Sequence, residues 1–100
     1  MGKIVLLCAN GMSTSLLVNK MKDYAKQIGY EADIAAYAVA DASHKGADAD
    51  IILLGPQVRF EQKKVEGLVK CPVQPINMQD YGMMNGANVI EAVRKALGDN

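Results

Sequence analysis

The sequence predicts an α/β fold, a three-layer sandwich in which a four-stranded parallel sheet of order 2-1-3-4 has helices on both faces. Short apolar runs alternate with segments of helical periodicity along the 100 residues, which is typical of parallel strands joined by crossover helices. Residues 3–7 and 51–54 form continuous, mostly aliphatic runs, as strands covered on both faces do. Right-handed crossovers then place these two strands side by side at the centre of the sheet.

The first half of the chain contains two predicted strands and the helix between them. After the strand at residues 3–7, Ser13 is a good helix N-cap and Gly29 is a good helix stop. Between them, apolar residues at helical spacing form one buried stripe: Leu17, Met21, Tyr24, Ala25 and Ile28. Residues 31–37 alternate loosely between polar and apolar side chains, which predicts an edge strand. A short helix is predicted over residues 41–47.

The second half begins with the strand at residues 51–54, followed by a helix that ends near Leu68. Residues 72–76 form a weaker strand, and its two prolines lack N–H donors and therefore favour a sheet edge. The last helix is closed by Gly98 and has an apolar stripe: Val89, Ile90, Val93, Ala96 and Leu97.

Composition excludes several classes of function. Half of the residues are hydrophobic and 22% are charged, which argues against disorder. Eleven basic residues balance eleven acidic ones, so no net charge attracts nucleic acid or anionic lipid. No stretch approaches the ~20 apolar residues that span a bilayer, so direct membrane insertion is not expected. Two cysteines are too few for a disulfide scaffold and fit a reducing compartment.

The loop between the first strand and the first helix has the composition of a phosphate-binding loop. Its residues lead from a buried strand to a helix N-terminus: Cys8, Ala9, Asn10, Gly11, Met12, Ser13, Thr14 and Ser15. Backbone N–H groups in such a turn, the helix dipole and the hydroxyl groups all favour an anion. The same field stabilises the thiolate of Cys8, which predicts a nucleophile that accepts a phosphoryl group. The simpler alternative is that Cys8 is a small buried apolar residue.

Two further motifs accompany this loop, LGPQ at residues 54–57 after the third strand and YGMMNG at residues 81–86 before the last helix. Together they resemble enzyme IIB of the lactose/cellobiose class of the bacterial phosphoenolpyruvate-dependent sugar phosphotransferase system. The resemblance covers the whole chain and implies one IIB domain over residues 1–100. It also implies that residues 9–15 bind the phosphoryl group.

The resemblance implies a phosphocarrier enzyme that acts between two partners. Cys8 would accept a phosphoryl group from a phosphohistidine of enzyme IIA and pass it to a sugar bound by the membrane enzyme IIC during uptake. A β-linked disaccharide is the expected sugar, and specificity in this family lies mainly in IIC. The protein is expected to be cytoplasmic, to associate with the membrane only through IIC, to bind no nucleic acid and to need no cofactor.

The loop and the fold also resemble low-molecular-weight protein tyrosine phosphatases, which use a Cys-x5-Arg loop. Thr14 stands at the position of that Arg, so a bidentate clamp on the phosphoryl oxygens is missing. Asp80 and Tyr81 follow the last strand, where those phosphatases carry a general acid. A phosphomonoester hydrolase is therefore the alternative, and a flavodoxin-like module that only binds an anion is a third hypothesis.

Four residues near the predicted active edge are candidate accessory or partner-contacting residues: Gln57, Arg59, Asp80 and Tyr81. An exposed helix charge is the simpler interpretation of Arg59, and a turn or cap role is the simpler one for Asp80. His44 has no second ligand at metal spacing, so no metal site is predicted. Cys71 precedes the last strand and is expected ~17 Å from Cys8, at the opposite end of the sheet and beyond disulfide reach.

Overall fold

The computed structural model describes residues 2–9 and 14–98. Within those residues the strands are β1 (Gly2–Cys8), β2 (Ala32–Ala38), β3 (Ile51–Leu54) and β4 (Val73–Pro75). The helices are α1 (Ser15–Gln27), α2 (Ala42–Lys45), α3 (Gln62–Glu66), α4 (Met78–Gly82) and α5 (Gly86–Leu97), with 3-10 segments at Val39–Asp41 and Pro56–Glu61. Within this part of the chain, every helix is too short or too polar to cross a lipid bilayer.

The strands form one parallel sheet of order β2-β1-β3-β4, which confirms the predicted topology. At the carboxyl end of β1, Leu7 pairs with Leu54 of β3, and Cys8 pairs with Ala38 of β2. The N–H of Gly55 donates to the carbonyl oxygen of Leu7 at 2.8 Å and extends the ladder by one more bond. The end of β1 therefore lies between its two neighbours, at the point where strand order reverses.

Alternate side chains of β1 point to opposite faces of the sheet and build two separate cores. Ile4 and Leu6 pack in one core with residues of α1 and α5: Leu17, Met21, Val89, Ile90 and Val93. Val5 and Leu7 pack in the other core with residues from the second helix layer and β4: Ala42, Val58, Val65 and Val73. This division produces the predicted three-layer sandwich.

Helices α1 and α5 approach each other closely at Gly86, the first residue of α5. A Cβ atom at this position would lie 2.5 Å from the backbone carbon of Lys20 and 2.6 Å from the backbone nitrogen of Met21. Farther along, Tyr24 Oη donates a hydrogen bond to Glu91 Oε2 at 2.7 Å. The last glycine of the YGMMNG motif thus lets α5 fix the position of α1.

The boundaries of α1 differ from prediction at one end only. Thr14 rather than Ser13 occupies the N-cap position, and Ser13 itself lies outside the described residues. At the other end, Gly29 adopts a positive φ of 69° after the helix, as predicted for a helix stop. Gly98 likewise ends α5 with a φ of 74°.

The segments after β3 and β4 show the remaining differences from prediction. The helix expected to end near Leu68 ends at Glu66, and a 3-10 segment that begins at Pro56 precedes it. Strand β4 is shorter than predicted, although its edge position is confirmed. Helix α4 was not predicted, and it begins where the side chain of Asn77 accepts hydrogen bonds from the N–H groups of Gln79 and Asp80. An Asn at a helix start is a recognised capping signal.

We expect Gly86→Ala to lower the free energy of unfolding by about 1–3 kcal/mol, because the added methyl group would overlap rigid backbone of α1. Gly82→Ala is the matched control, since nothing lies within 4 Å of a Cβ atom there. It should change stability by less than about 1 kcal/mol. Urea titration followed by circular dichroism measures both values, and equal midpoints for the two variants would contradict the proposed close approach.

Candidate functional site

Cys8 ends the central strand β1 at the carboxyl edge of the sheet, as predicted. It has no exposed surface. A Cβ atom at Gly55 would lie 3.5 Å from Cys8 Cβ, so the residue that follows β3 packs directly beside the cysteine. This arrangement places Cys8 at the switch point where parallel α/β sheets bind their ligands.

Thr14 brings the N-terminus of α1 to the sulfur of Cys8. Thr14 is completely buried, and its Oγ1 donates a hydrogen bond to Cys8 Sγ at 3.5 Å. Thr14 is the N-cap residue of α1, but its side chain makes no capping hydrogen bond to the helix. Both the hydroxyl donor and the positive end of the helix dipole therefore favour negative charge on the sulfur.

The other predicted residues of the loop are only partly described. Ala9 and Ser15 are exposed, and Ser15 is the first residue of α1. Four predicted phosphate-binding residues lie outside the described residues: Asn10, Gly11, Met12 and Ser13. The structure thus joins Cys8 to Thr14, and the phosphate-binding role of the rest of the loop remains a prediction.

Gln57 and Tyr81, two of the candidate accessory residues, meet at the same edge of the sheet. Gln57 Nε2 donates a hydrogen bond to Tyr81 Oη at 3.3 Å. The Oε1 atom of Gln57 lies 3.0 Å from the position of a Cβ atom at Gly55, so this side chain folds back over the glycine beside Cys8. The LGPQ and YGMMNG motifs are therefore joined through Gln57 and Tyr81. These two residues are 24 positions apart in the chain, and no sequence pattern predicts their contact.

Asp80 is held in a helix-capping network. Its N–H donates to Asn77 Oδ1 at 3.1 Å, and its Oδ1 accepts a hydrogen bond from Asn88 Nδ2 at 3.1 Å. These contacts connect α4 to its own cap and to α5, which agrees with the simpler interpretation of Asp80. Asn77 and Asn88 were not among the predicted residues.

Arg59 lies on the 3-10 segment after β3 and is exposed, as the simpler interpretation predicts. It lines an open cavity of about 570 Å³ with residues that follow or end β4: Pro75, Ile76, Asn77, Met78 and Gln79. The structure thus places Arg59 next to the segment that leads into α4.

Comparison with known proteins establishes the family. The model of the family described as PTS system, Lactose/Cellobiose specific IIB subunit, matches residues 3–92. The chain belongs to this IIB family. The oligo-beta-mannoside-specific EIIB component of Bacillus subtilis (strain 168) is 45% identical, with 91% of each chain covered. The galactose-specific EIIB component of Lactococcus lactis subsp. cremoris (strain MG1363) is 42% identical, with 94% of each chain covered.

A solved structure agrees with this assignment of fold and family. The solution structure of the cellobiose-specific phosphotransferase IIB component from Borrelia burgdorferi superposes with a TM-score of 0.79 at 39% identity. The superposition covers 97% of this chain and 92% of the other. The protein is therefore a IIB component of the lactose/cellobiose type, which acts in sugar phosphotransfer.

Two other features considered in the sequence, a metal site and the second cysteine, do not contribute to the site at Cys8. Among the residues that the structure describes, no three His, Cys, Asp or Glu side chains come together to hold a metal ion. Cys71 is a free, half-buried thiol that precedes β4, so it lies at the opposite end of the sheet from Cys8. Burial raises the pKa of the Cys71 thiol, and the negative charge of Asp50 adds to this effect.

We expect the pKa of the Cys8 thiol to lie below the ~8.5 of free cysteine, because the α1 N-terminus and the Thr14 hydroxyl stabilise the thiolate. The rate of iodoacetamide alkylation as a function of pH, measured on Cys71→Ser, reports this pKa. In Cys8→Ser, alkylation of Cys71 should rise at a higher pH because burial disfavours its thiolate. A Cys8 inflection at or above the free-thiol value would contradict the prediction.

Proposed function

We propose that Cys8 is the residue on which this IIB component carries its phosphoryl group. In the first step, the sulfur lone pair attacks the phosphorus of a phosphohistidine on enzyme IIA, so that the N–P bond breaks and an S–P bond forms. In the second step, a hydroxyl oxygen of the sugar attacks the phosphorus, so that an O–P bond forms and the S–P bond breaks. The bonding pair returns to sulfur as thiolate, and the hydroxyl proton passes to solvent or a base. The enzyme is thus a protein-phosphocysteine–sugar phosphotransferase.

The contact between Thr14 and Cys8 is the observation that carries this proposal. It places the sulfur at the N-terminus of a 13-residue helix, where an anion is favoured before and after phosphorylation. We assign the binding of the phosphoryl oxygens to residues 9–15, whose backbone N–H groups precede or begin that helix. The hydroxyl groups of Ser13 and Ser15 add further donors.

The specificities of the relatives indicate which class of sugar this protein serves. We propose that the membrane enzyme IIC, rather than this protein, selects the sugar. The similar proteins are named as specific for oligo-beta-mannoside, galactose and cellobiose, and they are 39% to 45% identical to this chain. Such different sugars at nearly equal identity fit a IIB component that does not itself select the sugar. We propose a β-linked disaccharide as the substrate, bound and selected by enzyme IIC.

Enzymes IIA and IIC are the proposed partners, and they dock at the carboxyl edge of the sheet. Two apolar side chains of the segments that follow β4 are largely exposed, Met78 at 64% and Met83 at 72%. Both residues lie on the segment that leaves the carboxyl end of β4, which is why we assign docking to this edge. We place residues 1–100 in the cytoplasm as one IIB domain that reaches the membrane through IIC, with Gln57, Arg59 and Tyr81 as candidate partner contacts.

A phosphatase activity is disfavoured by two features of this edge. Thr14 occupies the position of the phosphatase arginine, and its hydroxyl is directed at sulfur. Asp80, the candidate general acid, accepts a hydrogen bond from Asn88 and belongs to the capping network of α4. Thr14 therefore cannot act as the arginine clamp on the phosphoryl oxygens, and Asp80 is engaged in capping contacts instead of being available as a general acid.

We expect Cys8→Ser to abolish phosphorylation, because the sequence of residues 9–15 has no His, Asp or Glu to activate a serine hydroxyl, whereas a thiolate is already deprotonated. Intact mass is measured after incubation with enzyme IIA and a phosphoenolpyruvate-driven relay. Cys71→Ser is the control and should be phosphorylated normally, since Cys71 lies at the other end of the sheet. Phosphorylation that persists in Cys8→Ser would disprove the assignment.

We also expect the phosphorylated protein to be isolable and to lose its phosphoryl group only when IIC and sugar are present. Turnover of p-nitrophenyl phosphate should be negligible, and Asp80→Asn should leave it unchanged. This variant keeps a side-chain oxygen that accepts the Asn88 hydrogen bond, so it removes the acid and preserves the contact. Substantial turnover that falls by the ~10²–10⁴ typical of general acid–base catalysis in Asp80→Asn would instead establish a phosphatase.

A further inference from the structure

Thr14 is unusual among the polar residues of this protein. Within residues 2–9 and 14–98, it is the one polar or charged residue that is buried, with no exposed surface. A buried hydroxyl group needs a hydrogen-bond partner, and its Oγ1 donates to Cys8 Sγ at 3.5 Å. The hydroxyl is thus held against the atom that we propose is phosphorylated.

The backbone of Thr14 does not hold its side chain in a capping position. A capping threonine usually has extended φ and ψ angles and accepts a hydrogen bond from the second or third N–H of the helix. Thr14 instead has φ of −97° and ψ of −2°, and its side chain makes no capping hydrogen bond. The structure therefore forgoes a stabilising cap of α1 while it retains the contact with sulfur.

We propose that the Thr14 hydroxyl stabilises the free Cys8 thiolate relative to phosphocysteine and thereby raises the tendency of this protein to give up its phosphoryl group. The proposal rests on the function assigned to Cys8 above. A thiolate carries a full negative charge and accepts a strong hydrogen bond. The sulfur of phosphocysteine is bonded to phosphorus, carries little charge and is a weak acceptor.

The two transfer steps are affected in opposite directions. When the N–P bond of IIA breaks and the S–P bond forms, the sulfur gives up the electron pair that accepted the hydrogen bond from Thr14. When the S–P bond breaks and the sugar oxygen binds phosphorus, that pair returns to sulfur and the hydrogen bond is regained. Thr14 therefore disfavours retention of the phosphoryl group and stabilises the leaving thiolate during transfer to the sugar.

The test compares Thr14→Ala, Thr14→Val and Thr14→Ser, each in a Cys71→Ser background so that Cys8 is the one thiol. The thiol pKa is measured from thiolate ultraviolet absorbance against pH. The phosphorylation equilibrium is measured by intact mass after mixing with the phosphorylated enzyme IIA that phosphorylates the parent, at a pH above the thiol pKa. Valine keeps the buried volume of threonine, so Thr14→Val supplies the comparison if Thr14→Ala does not fold.

Loss of the hydroxyl should raise the thiol pKa by about one unit and shift the equilibrium about tenfold towards phosphocysteine, as expected for a hydrogen bond to a charged group. Both changes report the same hydrogen bond, so the pKa shift should equal the base-ten logarithm of the fold-change in the phosphorylation equilibrium. Thr14→Ser keeps the hydroxyl and should restore both values, which a purely structural role for the methyl-bearing side chain would not produce.

Three results would overturn the proposal. An unchanged thiol pKa in Thr14→Ala and Thr14→Val would show that the hydroxyl does not stabilise the thiolate. A shift of the equilibrium away from phosphocysteine would show that Thr14 binds the phosphoryl oxygens instead of the sulfur, and would leave the function of Cys8 intact. Absence of phosphorylation in the parent itself would disprove the proposed function and this inference with it.

Discussion

The complete burial of residues 4–8 of β1 is the constraint on which the rest of the structure depends. Every residue from Ile4 to Cys8 has no exposed surface, so the strand must have a neighbour on each side and a helix layer on each face. A strand that pairs in parallel with the next one needs a crossover connection, usually a helix. Here that helix is α1, which begins at Ser15, only seven positions after Cys8. The end of the strand, which is Cys8, and the start of that helix are therefore held close together.

The same burial creates an electrostatic problem at the end of the strand. A cysteine without exposed surface loses the solvation that a thiolate has in water, and this loss raises the thiol pKa. Cys71 shows that effect in this molecule, where burial is the main cause of its raised pKa. Cys8 is buried more deeply, but it has the N-terminus of α1 and the hydroxyl of Thr14 beside it. Any negative charge on Cys8 must therefore be stabilised by local donors rather than by solvent.

Sequence alone predicts the parts of this fold that depend on local patterns. Residues 51–54 are predicted at their observed bounds because a run of four aliphatic residues is too short for a buried helix and favours a strand. Gly29 ends α1 because it adopts a positive φ. The helix predicted to end near Leu68 is present as α3 but is short, because a 3-10 segment that begins at Pro56 occupies the residues before it. The contacts that build the active edge, from Thr14 to Cys8 and from Gln57 to Tyr81, depend on how separate elements meet and have no periodic signal. The cysteine loop was found from its composition and its place between strand and helix.

The position of Thr14 suggests how one loop can serve either transfer or hydrolysis. An arginine at this place holds the phosphoryl oxygens, which stabilises the transition state whatever nucleophile attacks, water included. The Thr14 hydroxyl donates to the sulfur instead. In the proposed function it would stabilise the departing thiolate without helping to position water. If Cys8 carries the phosphoryl group as proposed, its S–P bond is then easier to break, yet the attacking group must come from outside the loop. In the proposed function, the molecule that docks at this edge completes the chemistry of the carrier. A bound sugar presents an oriented hydroxyl group to the phosphorus, whereas Thr14 does not orient a water molecule for the same attack.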